Sequence, residues 1–501
     1  MPKALFTMVL QFLLWLLLAI YIAASVVLMI YGLNTYLLLF LFGRRVRTKR
    51  TQQRELKRTF LAEAEKKGDE AWPIVTTQIP LYNERNVAER VIRAVAAFDY
   101  PTGRHQIQVV DDSNDETCEL VDQIVAELKG KGIWIDACRR EDRVGYKAGG
   151  LKEAMDDAEG EFIAIFDSDF VPEPDFLKET IPLFPDEKTG LVQARWGHLN
   201  SETSMLTRAQ SVGIDGHFVV EQVARSANRL FLNFNGTAGV WRRAAIDDGG
   251  GWQADTLTED LDLSYRCQLR GWKLEFAIDV VVPAELPETY SAFLGQQFRW
   301  AKGSVQTAKK LLKKVFVSDV PALAKMQAVF HLLHYCAHLF MLIHALVPLP
   351  LSFLLPEFNG FLVASFFIVP LIMATLGPSV LYSVSQYYLY PRDWWKKLIY
   401  LPGMVALGFG ICISNSRAVY EAIVGKRSGF VRTPKTGTST VKKYKTERNW
   451  LPYIQLGASL YCALTVFSYA WRGSWGALFF FMVYGVGFLT VGIATLREQN
   501  A

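Results

Sequence analysis

Apolar and polar residues fall into long separate blocks along this chain of 501 residues. Six blocks are almost entirely apolar, and most are long enough for the roughly 20 helical residues that cross a hydrocarbon core. These blocks cover residues 5–42, 328–355, 361–384, 398–413, 451–470 and 475–494. With 51% hydrophobic residues overall, the pattern predicts an integral membrane protein with an α-helical transmembrane bundle.

The chain between the first and second apolar blocks has a different periodicity. Short apolar runs at 74–79, 107–112, 133–136 and 162–167 alternate with amphipathic stretches such as 87–98. This alternation of strand and helix predicts an α/β domain with a Rossmann-like, mostly parallel sheet. In such a sheet, ligands bind beyond the carboxyl ends of the strands.

Basic residues follow the first apolar block directly, in the sequence GRRVRTKRTQQRELKR at 43–58. The positive-inside rule therefore places this segment and the α/β domain in the cytosol. The first block is much longer than the apolar part of a signal peptide, so we expect it to remain as an anchor. The net charge of +5 belongs mainly to such membrane-flanking segments, and no nucleic-acid partner is expected. The six cysteines form no CxxC pair, which predicts neither a zinc site nor a disulfide framework.

Acidic residues follow two of the predicted strands. Asp111 and Asp112 end the second strand, and Asp167 and Asp169 follow the fourth. Two carboxylates at a strand end can hold a divalent cation, which in turn can bind a diphosphate. The alternative is that these residues simply begin turns, as Asp often does.

A third acidic cluster lies in the sequence LTED at 257–260. Thr258 is predicted as the N-cap of a helix, with Glu259 and Asp260 in its first turn. Carboxylates at this position stabilise the helix through its dipole. A second interpretation is a general base, because such a carboxylate stays ionised and can accept a proton.

Three other stretches carry candidate chemistry. Lys147 in GYKAGG lies at a predicted helix start, where it can approach an anion, and the glycines of FNGTAG at 234–239 allow another chain to lie close. FLGQQFRWAKGS at 293–304 places amides, a guanidinium and an indole just before a membrane block. An interfacial anchor, with Trp300 at the headgroups and Arg299 and Lys302 reaching toward water, also explains that position.

Taken in order, these motifs resemble the processive family 2 glycosyltransferases, which include cellulose synthases and the plant cellulose-synthase-like mannan and glucan synthases. The resemblance runs over roughly residues 72–304. It implies a GT-A fold for the cytosolic domain and Mg²⁺ or Mn²⁺ as cofactor. The implied activity is inverting transfer of a hexose from UDP-glucose or GDP-mannose to the non-reducing end of a growing β-linked glycan. The implied enzyme also moves the polymer across the membrane.

The resemblance assigns a role to each motif. The catalytic group is Thr258, Glu259 and Asp260, with Asp260 as the base, and the metal ligands are Asp167 and Asp169. Residues expected to bind the nucleotide sugar are Tyr82, Glu84, Asp111, Asp112, Lys147, Asp167, Gln296 and Arg299. Residues expected to bind the acceptor are Gln193, Asn235, Gly236, Thr237 and Trp300.

The basic segment at 425–449 resembles the gating loop of cellulose synthases, with Phe430, Thr433 and Lys435 at matching positions. Such a loop must reach the nucleotide, which places it in the cytosol. Three apolar blocks lie between it and the α/β domain, so one of them cannot cross. The block at 398–413 contains Pro402 and several glycines, and we expect it to re-enter or lie in the interface, leaving about five crossings.

These patterns divide the chain into five regions. They are an N-terminal transmembrane anchor at 1–43, a basic cytosolic linker at 44–71, a GT-A domain at 72–302, an amphipathic interfacial segment at 303–325 and a C-terminal transmembrane region at 326–501. The expected location is the inner or plasma membrane, or the Golgi in a eukaryote. Neither a C-terminal cyclic-dinucleotide module nor an N-terminal cysteine-rich zinc domain is expected.

Several alternatives stay open at the level of sequence. The expected partners are the nucleotide sugar, a glycan or glycolipid acceptor, membrane lipids, and either a second copy of the chain or an accessory export subunit. A non-processive enzyme that glycosylates a membrane lipid, or a transporter or scaffold with an inactive domain, are the competing functions. Four histidines in HLLHYCAHLFMLIH at 331–344 suggest either a metal or haem ligand set, polar lining for a glycan path, or interfacial packing.

Overall fold

The computed structural model describes residues 2–354, 369–426, 449–473, 475 and 478–500. Its first element is a single helix, α1, which spans Pro2–Lys67 and contains 66 residues. Its length is about 100 Å. The predicted anchor and the predicted basic linker are therefore parts of one continuous helix. A short 3₁₀ turn at Gly68–Ala71 leads from it into the α/β domain.

A seven-stranded sheet forms the centre of the α/β domain, with strand order β3-β2-β1-β4-β6-β5-β7. The strands are β1 Val75–Leu81, β2 His105–Asp111, β3 Ile135–Cys138, β4 Phe162–Ile165, β5 Thr189–His198, β6 Gly239–Arg242 and β7 Lys273–Ala284. The first four strands are parallel to one another, and β5 is parallel to β7. Strand β6 runs antiparallel between β4 and β5. The predicted mostly parallel sheet is confirmed, and β6 is the exception.

Helices cover both faces of this sheet. They are α2 Arg85–Ala96, α3 Thr117–Gly130, α4 Tyr146–Ala154, α5 Phe176–Thr180, α6 Met205–Gly216, α7 Val223–Ala227, α8 Arg243–Asp248 and α9 Glu259–Leu269. Successive strand residues point to opposite faces, so Phe162 and Ala164 enter one apolar core while Ile163 and Ile165 enter the other. The second of these cores also contains Leu38 of α1, which joins the sheet to the membrane helix.

The described residues that follow β7 are mostly helical. Their helices are α10 Tyr290–Val317, α11 Ala322–Leu333, α12 Ala337–Leu346, α13 Pro348–Leu354, α14 Val369–Leu389, α15 Trp394–Lys397, α16 Leu401–Gly410, α17 Cys412–Val424, α18 Leu451–Trp471 and α19 Leu478–Asn500. Small residues allow close packing between them. A Cβ atom added to Gly377 of α14 would lie 2.7 Å from the carbonyl oxygen of Gly32 in α1. The predicted helical membrane bundle is therefore confirmed.

Four helices in the described part of the chain are long and apolar enough to cross a membrane: Leu5–Ala71, Ala322–Leu354, Leu451–Trp471 and Leu478–Asn500. A further pair, Trp394–Gly410 and Cys412–Val424, is bent by 42° and fits either a broken span or a re-entrant loop. The predicted re-entry of 398–413 falls on this pair and stays a prediction. The predicted crossing at 361–384 lies partly outside the described residues. Phe430, Thr433 and Lys435 of the predicted gating loop lie wholly outside them.

The polar part of α1 lies against the edge strand β7. Lys49 forms an ion pair with Glu275. The Gln53 amide donates to the Phe276 carbonyl oxygen at 2.6 Å and its oxygen accepts from the Ile278 backbone nitrogen at 3.2 Å. Because a buried side chain here bonds the free edge of the sheet, α1 both covers that edge and fixes the α/β domain to the membrane helix.

Candidate active site

The carboxyl end of β4, the start of α4 and the loop before β6 meet at one point. The Lys147 ammonium at the start of α4 donates to the Asp167 Oδ1 atom at 2.5 Å and to the Gly236 carbonyl oxygen at 2.7 Å. The Asp167 backbone nitrogen donates to the Thr237 hydroxyl at 2.8 Å. Three segments that are distant in sequence are thus held together by three hydrogen bonds around Asp167.

Asp260, at the start of α9, completes this cluster. A Cβ atom on Gly236 would lie 3.0 Å from the Asp260 Oδ2 atom and 3.6 Å from the Lys147 Nζ atom. Gly236 also has a φ of +85°, a backbone conformation that side chains other than glycine rarely adopt. The loop can approach the Asp260 carboxylate this closely only because a glycine stands there.

Negative charge exceeds positive charge in this cluster. Burial, together with the charge of Glu259, raises the pKa of Asp260 to about 7. Burial also raises the pKa of Glu259, although Lys147 opposes that change. Burial lowers the pKa of Arg299, and four carboxylates act against that lowering: Glu259, Asp167, Asp260 and Asp169. Two cations therefore face four carboxylates at the end of the sheet.

Asp167 and Asp169 fit a divalent cation of the Mg²⁺ or Mn²⁺ kind. Carboxylate oxygens are the ligands that such ions prefer, and two protein ligands leave positions for a diphosphate and for water. The excess of carboxylates in the cluster gives a cation a charge to neutralise. Within the described residues, no group of three or more His, Cys, Asp or Glu side chains could hold a metal.

Helix α10 brings Arg299 of the QQFRW motif to the cluster. Gln296, Arg299 and Trp300 are spaced three and four residues apart, so they share one face of the helix. The start of α10 is capped from the membrane bundle, because the Glu498 carboxylate of α19 accepts from the backbone nitrogens of Tyr290 at 2.7 Å and Ser291 at 2.9 Å. The position of Arg299 and Trp300 thus depends on a membrane helix.

Lys302 has a different environment from the one considered for it above. It is fully buried, and its ammonium donates to the Glu421 Oε2 atom of α17 at 2.8 Å. Arg417 contacts the second oxygen of the same carboxylate at 3.0 Å. The idea that Lys302 reaches out to the membrane surface is therefore wrong, because the side chain instead ties α10 to α17.

Thr258 occupies the N-cap position of α9, as predicted, but its side chain makes no capping hydrogen bond. Its hydroxyl lies 3.3 Å from the Thr307 hydroxyl. Its methyl group lies so close to α10 that a Cβ atom on Gly303 would be 2.5 Å away. Thr258 therefore joins the helix that carries Asp260 to the helix that carries Arg299, and its predicted catalytic role stays a prediction.

Arginines hold the two acids at the end of β2. Arg139 donates to the Asp111 Oδ2 atom at 3.0 Å. Arg140 donates through two nitrogens to both oxygens of Asp112, at 2.7 Å and 2.6 Å. These arginines were missed in the sequence, although the run CRREDR at 138–143 was a visible signal.

Other predicted nucleotide contacts border these acids. The guanidinium carbon of Arg143 lies 3.3 Å from the centre of the Tyr82 ring, close enough for a strong cation–π contact. Glu84 is buried where the first strand passes into α2. The two residues thus lie on the same side of the sheet end as Asp111 and Asp112.

Four of the predicted acceptor residues lie on or beneath one loop, and the fifth, Trp300, lies on α10. Gln193 is fully buried. Its amide nitrogen donates to the carbonyl oxygens of Thr237 and Ala238, each at 3.0 Å, and its oxygen accepts from the Asn235 backbone nitrogen at 2.9 Å. Gln193 therefore holds the loop that carries Asn235, Gly236 and Thr237.

The histidines of 331–344 take part in packing contacts. His331 accepts or donates with the Tyr265 hydroxyl at 2.8 Å and with the Asn233 side chain at 3.1 Å. His334 bonds the His331 carbonyl oxygen at 2.7 Å. Helix α11 is thus fixed to the α/β domain through His331, whereas His334 lies in a 3₁₀ turn and His338 and His344 lie in α12.

Comparison with known proteins identifies the class. A family model described as "Glycosyltransferase like family 2" matches residues 73–303, which hold the sheet, the carboxylate cluster and the QQFRW part of α10. Residues 73–303 therefore form a GT-A-like domain of the family 2 glycosyltransferase kind, related to the cellulose-synthase-like glucomannan 4-beta-mannosyltransferases. The predicted family is thereby confirmed.

Two of these relatives come from plants. Glucomannan 4-beta-mannosyltransferase 2 of Arabidopsis thaliana is 41% identical over 302 residues, which is 58% of this chain and 57% of that protein. Glucomannan 4-beta-mannosyltransferase 1 of Cyamopsis tetragonoloba is 42% identical over 297 residues, covering 58% and 56% of the two chains. The matches thus span little more than half of the length of these curated relatives.

One solved structure is similar over more of the chain. A mannosyltransferase from Pyrobaculum calidifontis, in complex with GDP-Man and Mn²⁺, aligns with 81% of this chain and 100% of its own, with a TM-score of 0.48 and 20% identity.

Proposed function

We propose that this protein is a membrane-embedded β-mannosyltransferase. It transfers mannose from GDP-mannose to the non-reducing end of a β-1,4-linked glycan of the mannan or glucomannan kind and passes the polymer across the membrane. The juxtaposition of Asp260, Asp167, Lys147 and Arg299 at one end of the sheet carries the proposal. The identity of about 40% to glucomannan mannosyltransferases supports mannose over glucose as the transferred sugar.

The chemical step is a single displacement. Asp260 takes the proton of the acceptor hydroxyl while the oxygen of that hydroxyl bonds to the anomeric carbon of the donor. The bond between that carbon and the diphosphate oxygen breaks, and the diphosphate leaves with the electron pair. Attack from the opposite side converts an α-linked donor into a β-linkage. A pKa of about 7 for Asp260 suits a base that works near neutral pH.

Positive groups receive the charge of the leaving diphosphate. Lys147 and Arg299 are the two cations of the cluster, and charge-assisted hydrogen bonds from them stabilise phosphate oxygens. Asp167 and Asp169 would hold Mg²⁺ or Mn²⁺, which neutralises further negative charge on the diphosphate. On the other side of the reacting carbon, Trp300 offers an aromatic face to the acceptor sugar.

The test is a parallel assay of two donors. The purified protein in lipid nanodiscs is incubated with Mg²⁺ or Mn²⁺ and radiolabelled GDP-mannose or UDP-glucose, and the products are separated by size and by organic extraction. We expect a high-molecular-weight product from GDP-mannose that a β-mannanase digests. Polymer from UDP-glucose alone would overturn the sugar assignment, and label confined to the lipid extract would identify a glycolipid enzyme instead.

A further inference from the structure

A turn of π-helix interrupts the long helical segment that lies between β5 and the acceptor loop. The turn covers His217–Gln222 and separates α6 from α7. Hydrogen bonds from residue i to i+5 widen a helix, so residues four and five apart come to the same side. His217 and Gln222 bond the loop that begins at Asn233, and Glu221 bonds His217. Such turns occur often at functional sites.

The orientation of each polar group in this turn follows from one carbonyl. The Asn233 carbonyl oxygen can only accept, so the Gln222 group that lies 3.3 Å from it is the amide nitrogen. The same nitrogen donates to the Asn235 Oδ1 atom at 2.6 Å. The Asn235 amide nitrogen must then face His217 Nε2, 3.2 Å away, and donate to it. His217 carries its own proton on Nδ1 and donates it to Glu221 Oε2 at 2.9 Å.

The Glu221 carboxylate accepts the hydrogen bond from His217. Burial alone would raise the pKa of Glu221, but the hydrogen bond from His217 and the positive charge of Arg225 outweigh it and lower that pKa. Glu221 is therefore an ionised acceptor at neutral pH. The His217 and Glu221 side chains keep 29% and 33% of their surface accessible, so a hydroxyl-bearing ligand can reach this part of the loop.

Asn235 is held from two sides. Its backbone nitrogen donates to Gln193, and its side chain lies between Gln222 and His217. The next residue, Gly236, contacts both Lys147 and Asp260. A movement of the Asn235 carboxamide would thus displace the backbone directly beside Lys147 and Asp260. An amide nitrogen has two hydrogens, so with one given to His217 it can donate the other to an acceptor hydroxyl.

We propose that His217 and Glu221 are positioning residues for the acceptor sugar, acting through the side chain of Asn235. This inference rests on the proposed function, since it takes the loop at Asn235 as the acceptor wall. It assigns the π-helical turn a part in acceptor binding, because the polar side chains of the turn bond the Asn235 loop.

Two substitutions of one residue test the idea. His217→Phe keeps the ring but removes both hydrogen bonds, whereas His217→Gln keeps an acceptor and a donor. With β-1,4-mannohexaose as acceptor, we expect His217→Phe to raise the acceptor KM about tenfold. A change of that size corresponds to the loss of about one hydrogen bond. Transfer should fall relative to hydrolysis of GDP-mannose by water, while the donor KM and the hydrolysis rate change less than about twofold. His217→Gln should recover most of the acceptor affinity.

Controls separate positioning from folding. Ser211→Ala removes a hydroxyl that donates within the α6 helix to the Arg208 carbonyl oxygen at 2.8 Å, and it should leave both KM values unchanged. Glu221→Ala keeps the imidazole but frees it to turn, and should reproduce the acceptor-specific loss. An equal fall of transfer and hydrolysis in His217→Phe and Glu221→Ala, with unchanged acceptor KM, would overturn the inference.

A binding measurement keeps the inference distinct from the proposed function. Titration of mannohexaose into the wild type and into His217→Phe needs no turnover. Weaker binding by the variant supports the positioning role even if the wild type transfers no mannose, in which case the proposed function alone fails. Equal binding to both proteins overturns the inference whatever the activity.

Discussion

Two sets of acidic residues lie at the same end of the sheet and differ in how their charge is balanced. At the end of β2, Asp111 and Asp112 are each paired with an arginine. At the end of β4 and the start of α9, four carboxylates face two cations. Asp112 follows β2 and Asp167 follows β4, and β1 lies between these two strands. The two sets are therefore about 10 Å apart.

The difference separates recognition from reactivity. A carboxylate fixed by a bidentate arginine has a defined position and a defined charge, which suits the reading of a nucleotide. A cluster with surplus negative charge has an acid with a raised pKa and attracts a cation, which suits proton transfer and diphosphate binding. The predictions below test this division, beginning with the largest expected effect.

Asp260→Asn should abolish transfer while keeping nucleotide binding. Removing a general base costs about 10²- to 10⁴-fold in rate, and the amide keeps the shape of the side chain. Initial rates with radiolabelled donor and titration with GDP measure the two properties. Asp255→Asn, whose acid pairs with Lys310 away from the cluster, is the control and should transfer normally. Full activity of Asp260→Asn would remove Asp260 from the role of base.

Arg140→Ala should weaken donor binding and leave kcat nearly unchanged. The Arg140–Asp112 pair is only 7% and 8% accessible, so the variant leaves a buried carboxylate without its partner. We expect the donor KM to rise at least about tenfold, equivalent to about 1.4 kcal/mol.

The matched control for this change is Arg85→Ala. Arg85 and Glu116 form an ion pair whose members are 51% and 58% accessible, and exposed pairs contribute little. Its donor KM should stay within about twofold of the wild-type value. Similar donor KM values in Arg140→Ala and Arg85→Ala would mean that the pairing of Asp112 does not matter for the donor.

Glu259→Gln should shift the pH profile of kcat/KM to lower pH. Asp260 accepts a proton only when ionised, so the rate of the wild type rises with pH through a pKa of about 7. The charge of Glu259 is a cause of that raised pKa, and its removal favours the ionised form of Asp260. The acidic limb of the pH profile should therefore shift to lower pH by about one unit. An unmoved limb would mean that another group controls it.

Ligand-free protein should become less stable as pH rises, and a divalent cation should offset the loss. The pKa of folded Asp260 is raised from 3.8 to about 7, so its contribution to stability is full below pH 3.8 and is lost as pH rises through about 7. Mn²⁺ or Mg²⁺ should thus raise the Tm more at pH 8 than at pH 5. The double variant Asp167→Asn/Asp169→Asn should show no such difference.

The sequence predicted the parts of the molecule that depend on local pattern. The four strands from β1 to β4 follow from short apolar runs, and the position of Asp111 and Asp167 follows from the direction of parallel strands. The N-cap position of Thr258 follows from its helical neighbours. In each case one segment and one rule were sufficient.

Features that depend on distant partners were not predictable in this way. The antiparallel strand β6 is paired through residues far from it in sequence. The burial of Lys302 depends on Glu421, which lies 119 positions away. The π-helical turn at His217–Gln222 carries side chains that bond the Asn235 loop, and those partners lie outside the local sequence window of the turn.

The length of α1 determines where the α/β domain lies relative to the apolar block of that helix. One unbroken helix contains the apolar block and, further along, bonds β7 through Lys49 and Gln53. The α/β domain is therefore held at a fixed distance from the apolar block and in a fixed orientation relative to it. Each residue added before Lys49 would lift the domain by about 1.5 Å and swing it by about 100°. The same domain is also anchored through α10, whose start is capped by Glu498 of α19, so such a change would set the two attachments of the domain against each other. The number of residues in α1 is thus constrained independently of their identity.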